Sequence, residues 1–347
     1  MEVIEVTENG AYDYDVVVIG GGAAGLSGAM ALARSRRSVA VVDAGEPRNS
    51  PAEGVHVLLG REGIAPRELV ARGREELRSY GGVVIEGEVV GASRGDDGLF
   101  AVTLGGGRVL RARRLLVTTG LSDELPDVAG LRGRWGRDVI HCPYCHGWEV
   151  RGQRIGVLST GPMSVHQVLL MRQLSDDVVF FAHTAPPVGA EDRDRLAARG
   201  IEVVEGEVVA VETDGDRLSG VRLADGRVVE RDALTVATRM VARTSFLADL
   251  GLTVQEHPMG LGEHVPVETG GRTAVPGVWA AGNVTDLMAQ VGAAAAAGTM
   301  AGAQINADLV MEEADRAVER MRARRPFSAA AEARVHEAVA GEHRHGL

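Results

Sequence analysis

The sequence contains only two cysteines in 347 residues, and aromatic residues make up just 3% of it. Two cysteines cannot supply the disulfide framework of a small secreted domain. With so few aromatic side chains, the cores must be built chiefly from Val, Leu, Ile and Ala. Hydrophobic residues make up 45% of the chain, which is enough for two domains of ordinary size.

Positive charge and long hydrophobic runs are also scarce. The formal net charge of −11 argues against nucleic acid or an anionic membrane as the main partner. Residues 287–307 form the longest uncharged run, but they are mostly Ala and Gly with polar residues between them, so they do not predict a membrane span. Residues 1–13 lack the basic and apolar regions of a secretory signal. Together these features predict a soluble cytoplasmic protein.

A glycine-rich turn joins a strand (residues 15–19) to a helix (residues 24–35) near the N-terminus, and a second strand ends at Asp43. The turn, residues 20–25, fits the G-x-G-x-x-G pattern, in which the glycines permit a tight turn, close approach of a pyrophosphate and close helix packing. The helix N-terminus offers unpaired N–H groups to phosphates, and an acidic residue about 20 positions further on accepts a ribose hydroxyl. The motif fits FAD or NAD, and a glycine turn without a ligand is the structural alternative. The residues predicted to bind the dinucleotide here are Gly20, Gly22, Ala23, Ala24, Gly25, Asp43 and Ala44.

A second strand–helix–strand unit covers residues 154–181, followed by a predicted hairpin in residues 207–223 and a strand at residues 234–238. That last strand corresponds in position to one at residues 114–118. The chain is therefore predicted to be an α/β protein with two Rossmann-like domains, the second inserted in the first.

The second unit lacks the cofactor pattern of the first. Its turn, residues 159–164, keeps only Gly161 of the expected glycines, and Ser159 and Ser164 occupy the other key positions. Residues 182–187, after the next strand, contain no arginine to pair with the 2′-phosphate of NADPH. The pattern predicts a domain that keeps the fold without binding NADPH. A variant turn that still holds phosphates is the alternative.

Both cysteines lie in the segment His141-Cys142-Pro-Tyr-Cys145-His146. Two intervening residues let the sulfurs close a small disulfide ring, and such pairs are commonly reactive. His146 can donate or remove a proton near neutral pH. The alternatives are haem attachment, zinc ligation that includes His141, and two inert buried thiols. We favour redox activity, with Cys142, Cys145 and His146 as catalytic residues and no metal.

The first glycine turn, the cysteine pair and the second turn occur in this order, and a Gly-Val-Trp-Ala-Ala-Gly-Asn segment follows at residues 277–283. In this order of motifs the chain resembles the low-molecular-weight thioredoxin reductase family over about residues 14–310. The resemblance implies FAD as the cofactor and a homodimer. It divides the chain into a discontinuous FAD-binding domain (residues 14–122 plus 250–312), an inserted NAD(P)-type domain with the cysteine pair (residues 123–249) and a helical C-terminal tail (residues 313–347). It also implies further FAD contacts from Thr119, Gly120, Gly282, Asn283, Gln290 and Val291.

The sequence departs from the family pattern in three places. His146 replaces the acidic residue that normally follows the second cysteine, the NADPH pattern is missing, and Asn283 stands where the family usually has Asp. The first two departures are similar to the dithiol oxidases that close disulfides in holomycin- and gliotoxin-type antibiotics. Those relatives dispense with NADPH and pass electrons from the flavin to O2.

The resemblance therefore implies an FAD-dependent dithiol oxidase that acts on a small-molecule dithiol and produces H2O2. A substrate thiolate is expected to attack Cys142, with Cys145 as the flavin-proximal cysteine and His146 as the base. An NAD(P)H- or ferredoxin-dependent disulfide reductase, for example of thioredoxin, is the alternative in the same fold. A redox sensor whose disulfide switches partner binding is the non-enzymatic alternative.

Overall fold

The computed structural model describes residues 12–323 and 329–342. Most of residues 1–13, which were examined above for a secretory signal, lie outside these ranges. The first sheet grows from the β-branched run that precedes the glycine turn. Val16, Val17 and Val18 are fully buried, as expected of a parallel strand covered on both faces. The first elements are β1 (Tyr14–Ile19), α1 (Ala23–Arg34), β2 (Val39–Asp43), α2 (Pro66–Ser79), β3 (Val83–Glu86), β4 (Val89–Arg94), β5 (Phe100–Leu104) and β6 (Val109–Val117).

The chain then crosses into a second α/β unit. The crossing strand is β7 (Leu121–Glu124), and the unit contains α3 (Leu131–Arg134), β8 (Val139–Ile140), α4 (Pro143–His146), β9 (Ile155–Leu158), α5 (Ser164–Met171), β10 (Val178–Phe181), α6 (Ala190–Ala198), β11 (Glu202–Val204), β12 (Val208–Asp214), β13 (Arg217–Leu223), β14 (Val228–Glu230) and β15 (Ala233–Val236). Strands β11, β10, β9, β15 and β8 form a parallel sheet in that order. Strands β12 and β13 form the predicted hairpin, which turns at Gly215, and β14 extends it.

The chain returns to the first unit by β16 (Arg239–Ala242), which pairs antiparallel with β7. The remaining elements are β17 (Gln255–Glu256), β18 (Gly262–His264), β19 (Val278–Ala280), α7 (Val291–Ala323) and α8 (Ala329–Glu342), together with short 3-10 turns at Ser245–Leu250 and Gly282–Val284. The first sheet has the order β3-β2-β1-β6-β5-β4, and β19 is its seventh strand, paired parallel with β6 outside that order. The predicted α/β class, with one Rossmann-like unit inserted in another, is confirmed.

The C-terminal tail was expected to begin at residue 313, but helix α7 continues through residues 312 and 313 without a break. The described residues of the tail are helical. Its first part packs on α1 through glycines. A Cβ atom on Gly298 would lie 1.9 Å from the carbonyl oxygen of Ala24, and one on Gly302 would lie 2.5 Å from that of Gly28. No helix within residues 12–323 and 329–342 is both long and apolar enough to span a membrane.

Candidate active site

The three glycines of the first turn have different structural roles. Gly20 has φ +105°, and a Cβ atom there would lie 2.4 Å from the carbonyl oxygen of Thr118. A Cβ atom on Gly25 would lie 1.9 Å from the carbonyl oxygen of Gly20. Around Gly22, however, no atom lies within 4 Å of the position a Cβ would take. The fold therefore requires Gly20 and Gly25, whereas Gly22 borders free space at the N-terminus of α1.

That free space belongs to a cleft of about 390 Å³ between the two units. Gly25 does not line it, which agrees with a packing role. All the other residues predicted to bind the cofactor or carry the chemistry do line it: Gly20, Gly22, Ala23, Ala24, Asp43, Ala44, Thr119, Gly120, Cys142, Cys145, His146, Gly282, Asn283, Gln290 and Val291. The structure thus brings together segments that are up to about 270 residues apart in the sequence.

Asp43 lies at the end of β2 on the wall of this cleft. Its Oδ1 atom accepts a hydrogen bond of 3.1 Å from the backbone N–H of Gly21, and its Oδ2 atom pairs with Arg74. An ionised carboxylate can accept about four hydrogen bonds, so capacity for a ribose hydroxyl remains. Asp43 therefore both braces the glycine turn and presents acceptor oxygens to the cleft.

Two polar side chains near the glycine turn favour a bound cofactor. The hydroxyl oxygen of Thr119 is buried and has no hydrogen-bond partner among the described residues. The side-chain N–H groups of Asn283 donate to the carbonyl oxygens of Asp286, Leu287 and Ala289. An aspartate at position 283 could not donate these bonds, so the departure from the family pattern has a local structural reason. The amide oxygen of Asn283 is the group left to accept a ligand hydroxyl. The residues present therefore fit a dinucleotide cofactor.

Cys142 and Cys145 form a disulfide at the start of the short helix α4. Cys142 is the N-cap residue, and its Sγ atom accepts a hydrogen bond of 3.2 Å from the backbone N–H of Cys145. Pro143, at the first helical position, fixes φ where no N–H donor is needed. A hydrogen bond to Sγ stabilises negative charge on that sulfur, which favours Cys142 in the thiolate state after reduction. No cluster of three or more His, Cys, Asp or Glu side chains able to hold a metal occurs among the described residues.

His146 ends α4 and lies beside the cysteine pair. Its Nε2 atom is buried without a hydrogen-bond partner. Burial lowers the pKa of His146 from 6.5, opposed by Glu149 and assisted by His56. The imidazole is therefore neutral at pH 7 and able to accept a proton.

His141 also lines the cleft, although the sequence suggested only a possible metal ligand there. Its Nδ1 atom lies 3.2 Å from the carbonyl oxygen of Val236, and its own carbonyl oxygen accepts a 2.6 Å hydrogen bond from Gln167. Burial and the positive charge of Arg48 lower the pKa of His141, opposed by Asp123. Its place immediately before Cys142 was the signal that could have identified it as a site residue.

An ion pair that the sequence did not predict joins the two units beside His141. Arg48, in the loop after β2, donates two hydrogen bonds of 2.6 and 2.7 Å to Asp123 of β7. Thr238, before β16, donates a third of 2.6 Å. Burial alone would raise the pKa of Asp123, but these donors hold it below its usual value. The residues are separated by 75 and 115 positions, so no local pattern could have revealed the group.

The turn of the second unit is closed by its own side chains. The Ser164 hydroxyl oxygen accepts hydrogen bonds from the backbone N–H groups of Thr160 (3.1 Å) and Gly161 (3.2 Å). The Thr160 hydroxyl donates to the carbonyl oxygen of Ala237 at 2.6 Å. After β10, the Nδ1 atom of His183 accepts from the backbone N–H of Val208. Two backbone N–H groups of this turn, those of Thr160 and Gly161, are thus already bonded to a side chain of the same turn.

Comparisons with known proteins agree with this architecture. The pyridine nucleotide-disulphide oxidoreductase family matches residues 14–298. The thioredoxin reductase tcpT of Claviceps purpurea (strain 20.1) is 32% identical over 85% of this chain and 95% of its own length. The thioredoxin reductase sirT of Leptosphaeria maculans is 30% identical over 84% and 93%.

Solved structures show the same relationship. The crystal structure of HlmI superposes with a TM-score of 0.83 at 46% identity and covers 89% of this chain and 96% of its own. An oxidoreductase from Agrobacterium tumefaciens superposes with a TM-score of 0.80 at 36% identity over 86% and 99%. Membership of this family implies a flavin cofactor. The chain therefore belongs to the pyridine nucleotide-disulphide oxidoreductase family and is a thioredoxin reductase-like, flavin-dependent enzyme.

Proposed function

We propose that the chain is an FAD-dependent dithiol oxidase that closes a disulfide in a small-molecule dithiol, with O2 as electron acceptor and H2O2 as product. One observation carries the proposal: the Cys142–Cys145 disulfide shares a cleft with the open glycine turn, while the turn that would hold NADPH is closed by Ser164. Electrons then have a route in from a dithiol and no built site for a nicotinamide donor. A homodimer, as in the family, is part of the proposal.

FAD would be held by the N–H groups around Gly22, by Asp43 at the ribose, and by Thr119 and Asn283, which line the same cleft. When bound, it supplies a two-electron acceptor for the reduced cysteines and passes the pair to O2. The protein residues carry the sulfur and proton chemistry. A substrate thiol loses its proton to His146 and its sulfur attacks Cys142, which breaks the Cys142–Cys145 bond and leaves Cys145 as a thiolate. The substrate's second thiol, after losing its proton, attacks the first substrate sulfur, so that the bond to Cys142 breaks, Cys142 becomes a thiolate and the substrate leaves as a closed disulfide.

The narrow setting of the sulfurs supports a small substrate. Cys142 and Cys145 are only half-buried, yet they lie on a cleft wall between two units that are joined by the Arg48–Asp123 pair. A compact dithiol can enter such a cleft without separating the units. A folded protein substrate would have to present its two thiols on a protruding loop.

The decisive experiment mixes the oxidised flavoprotein anaerobically with NADPH and, separately, with dithiothreitol, and follows the flavin absorbance. We expect dithiothreitol to bleach the flavin, NADPH to leave it oxidised, and air to restore it with formation of H2O2. Rapid bleaching by NADPH would instead establish a reductase. No bleaching by any dithiol would leave the redox sensor as the explanation.

A Cys142→Ser variant tests the role of the disulfide. We expect its flavin to stay oxidised in dithiothreitol, because no disulfide remains for a thiolate to attack. The exposed His166 on α5 offers a matched control: a His166→Gln variant should be bleached at the wild-type rate. Dithiol oxidation by Cys142→Ser at the wild-type rate would refute the proposed mechanism.

A further inference from the structure

The two most exposed aromatic side chains among the described residues stand on the segment that carries the disulfide. Aromatic residues make up only 3% of the sequence, and most of the described ones are buried or half-buried. Tyr144, between the two cysteines, is nevertheless 63% exposed, and Trp148, three residues after Cys145, is 66% exposed. Tyr80 follows at 45%, but its hydroxyl accepts a hydrogen bond from Arg34, whose guanidinium lies over its ring. Large rings that meet water together are typical of a binding surface.

Tyr144 and Trp148 lie on the same face of one helical turn. Residues 143–146 form α4, and Gly147 continues the helical backbone with φ −69° and ψ −30°. Side chains four residues apart on a helix are neighbours, so the phenol and the indole stand beside each other. Trp148 is also three residues from Cys145, which lines the cleft. The two rings therefore stand together next to the disulfide.

The indole of Trp148 is held in place before any ligand arrives. The guanidinium carbon of Arg151 lies 4.1 Å from the centre of the ring, and its Nη1 atom donates a 2.7 Å hydrogen bond to the carbonyl oxygen of Trp148. Arg151 thus covers one face of the indole by a cation–π contact, and the exposed fraction of the residue shows that the remaining surface is open to solvent. A ring that is already ordered loses little conformational entropy when a ligand stacks on its free face.

The loop between β2 and α2 meets the same segment from the other unit. The Nε2 atom of His56, which lines the cleft, lies 3.4 Å from a carboxylate oxygen of Glu149, the residue after Trp148. Beside His56, Val57 is 66% exposed, and Leu59 is fully exposed. Apolar side chains of both units therefore border the approach to the disulfide.

We propose that Tyr144 and Trp148 form a platform that binds a flat, unsaturated ring system in the dithiol, so that the substrate carries its two thiols on or beside such a ring. The proposal rests on the proposed function and names its substrate class. Stacking on the platform holds the apolar body of the substrate on the solvent side, while its thiols reach Cys142. The two rings take no part in the sulfur chemistry and determine which dithiols are bound.

The test compares two dithiols that close disulfide rings of the same size, dithiothreitol and ortho-bis(mercaptomethyl)benzene. Anaerobic flavin bleaching of the oxidised holoenzyme is measured in a stopped-flow instrument over a range of concentrations of each. We expect the wild type to reach its half-maximal rate at a lower concentration of the aromatic dithiol. In Trp148→Ala this preference should fall about 2- to 12-fold, the range for loss of one aromatic pair, and Tyr144→Ala should act in the same direction. Trp148→Phe keeps a ring and should keep most of the preference.

Tyr80→Ala is the matched control, because it removes an exposed ring far from the cysteine pair in the sequence, and its preference should equal that of the wild type. The platform is overturned if the wild type does not prefer the aromatic dithiol, or if Trp148→Ala keeps the full preference. It is also overturned if Trp148→Ala loses the preference together with its melting temperature, since that pattern describes a structural role. In each of these cases dithiothreitol still bleaches the wild type. A wild-type enzyme that no dithiol bleaches refutes the proposed function, and the substrate class with it.

Discussion

Replacing Gly22 by alanine is expected to weaken FAD binding without lowering the stability of the apoprotein. The residue has φ −77° and ψ −169°, an extended conformation that any L-amino acid adopts without strain. No protein atom lies within 4 Å of the added Cβ. The folded apoprotein should therefore accept the methyl group at no measurable loss of stability.

The bound cofactor should not accept it. In a dinucleotide turn the second glycine lets the backbone approach the pyrophosphate, so the new methyl group occupies space needed by phosphate oxygens. Forcing one extra methyl group into a filled site costs about 1–3 kcal/mol. At 1.4 kcal/mol per factor of ten, the dissociation constant for FAD should rise by about 5- to 150-fold.

The assay has two readouts and a matched control. Titration of apoprotein with FAD, followed by flavin fluorescence, gives the dissociation constant, and urea unfolding of the apoprotein gives its stability. Gly25→Ala is the control, because its Cβ would lie 1.9 Å from the backbone oxygen of Gly20 and the apoprotein itself should lose about 1–3 kcal/mol. The argument fails if Gly22→Ala binds FAD as tightly as the wild type, or if its apoprotein is as unstable as Gly25→Ala.

Two further predictions concern the charged groups of the cleft. Because the pKa of His146 lies below 6.5, the rate of anaerobic bleaching by dithiothreitol should hold down to about pH 6.5 and fall as the pH drops through the lowered pKa. His146→Ala should bleach more slowly by a factor of about 10² or more and lose that acidic limb, and an unchanged profile would assign the base elsewhere, with His141 the next candidate. Asp123→Asn should lower the free energy of unfolding by about 3 kcal/mol in urea at pH 7, since it leaves the Arg48 guanidinium without its carboxylate. The folded-state pKa of Asp123 is lowered, so this contribution is present at neutral pH and lost as the pH falls through that pKa, and the variant and wild type should converge in stability once the pH is below it.

The local elements were predictable because their signals are local. Residues 15–19, a β-branched run that stops at glycine, became β1 (Tyr14–Ile19), and the predicted helix at residues 24–35 became α1 (Ala23–Arg34). Helix α7 runs past the uncharged run that ends at residue 307 and continues to Ala323, since no glycine or proline follows within that stretch. Duplication of the unit was visible because each copy repeats the same strand–turn–helix order.

The long-range polar contacts could not be predicted. His56 meets Glu149, and Arg48 meets Asp123, only because two separate units close on one cleft, and neither pair leaves a pattern in the sequence. For Ser164, the sequence revealed that a glycine is missing. It did not reveal that the serine hydroxyl accepts hydrogen bonds from two backbone N–H groups of the same turn, those of Thr160 and Gly161.

In the turn of the second unit, the Ser164 hydroxyl accepts hydrogen bonds from backbone N–H groups that a phosphate could otherwise contact. A phosphate arriving there would compete with a hydroxyl tethered a few residues away, whose effective concentration far exceeds that of any free nucleotide in a cell. Under the proposed function, the second domain serves to position the Cys142–Cys145 disulfide in the cleft and does not have to hold a nicotinamide cofactor.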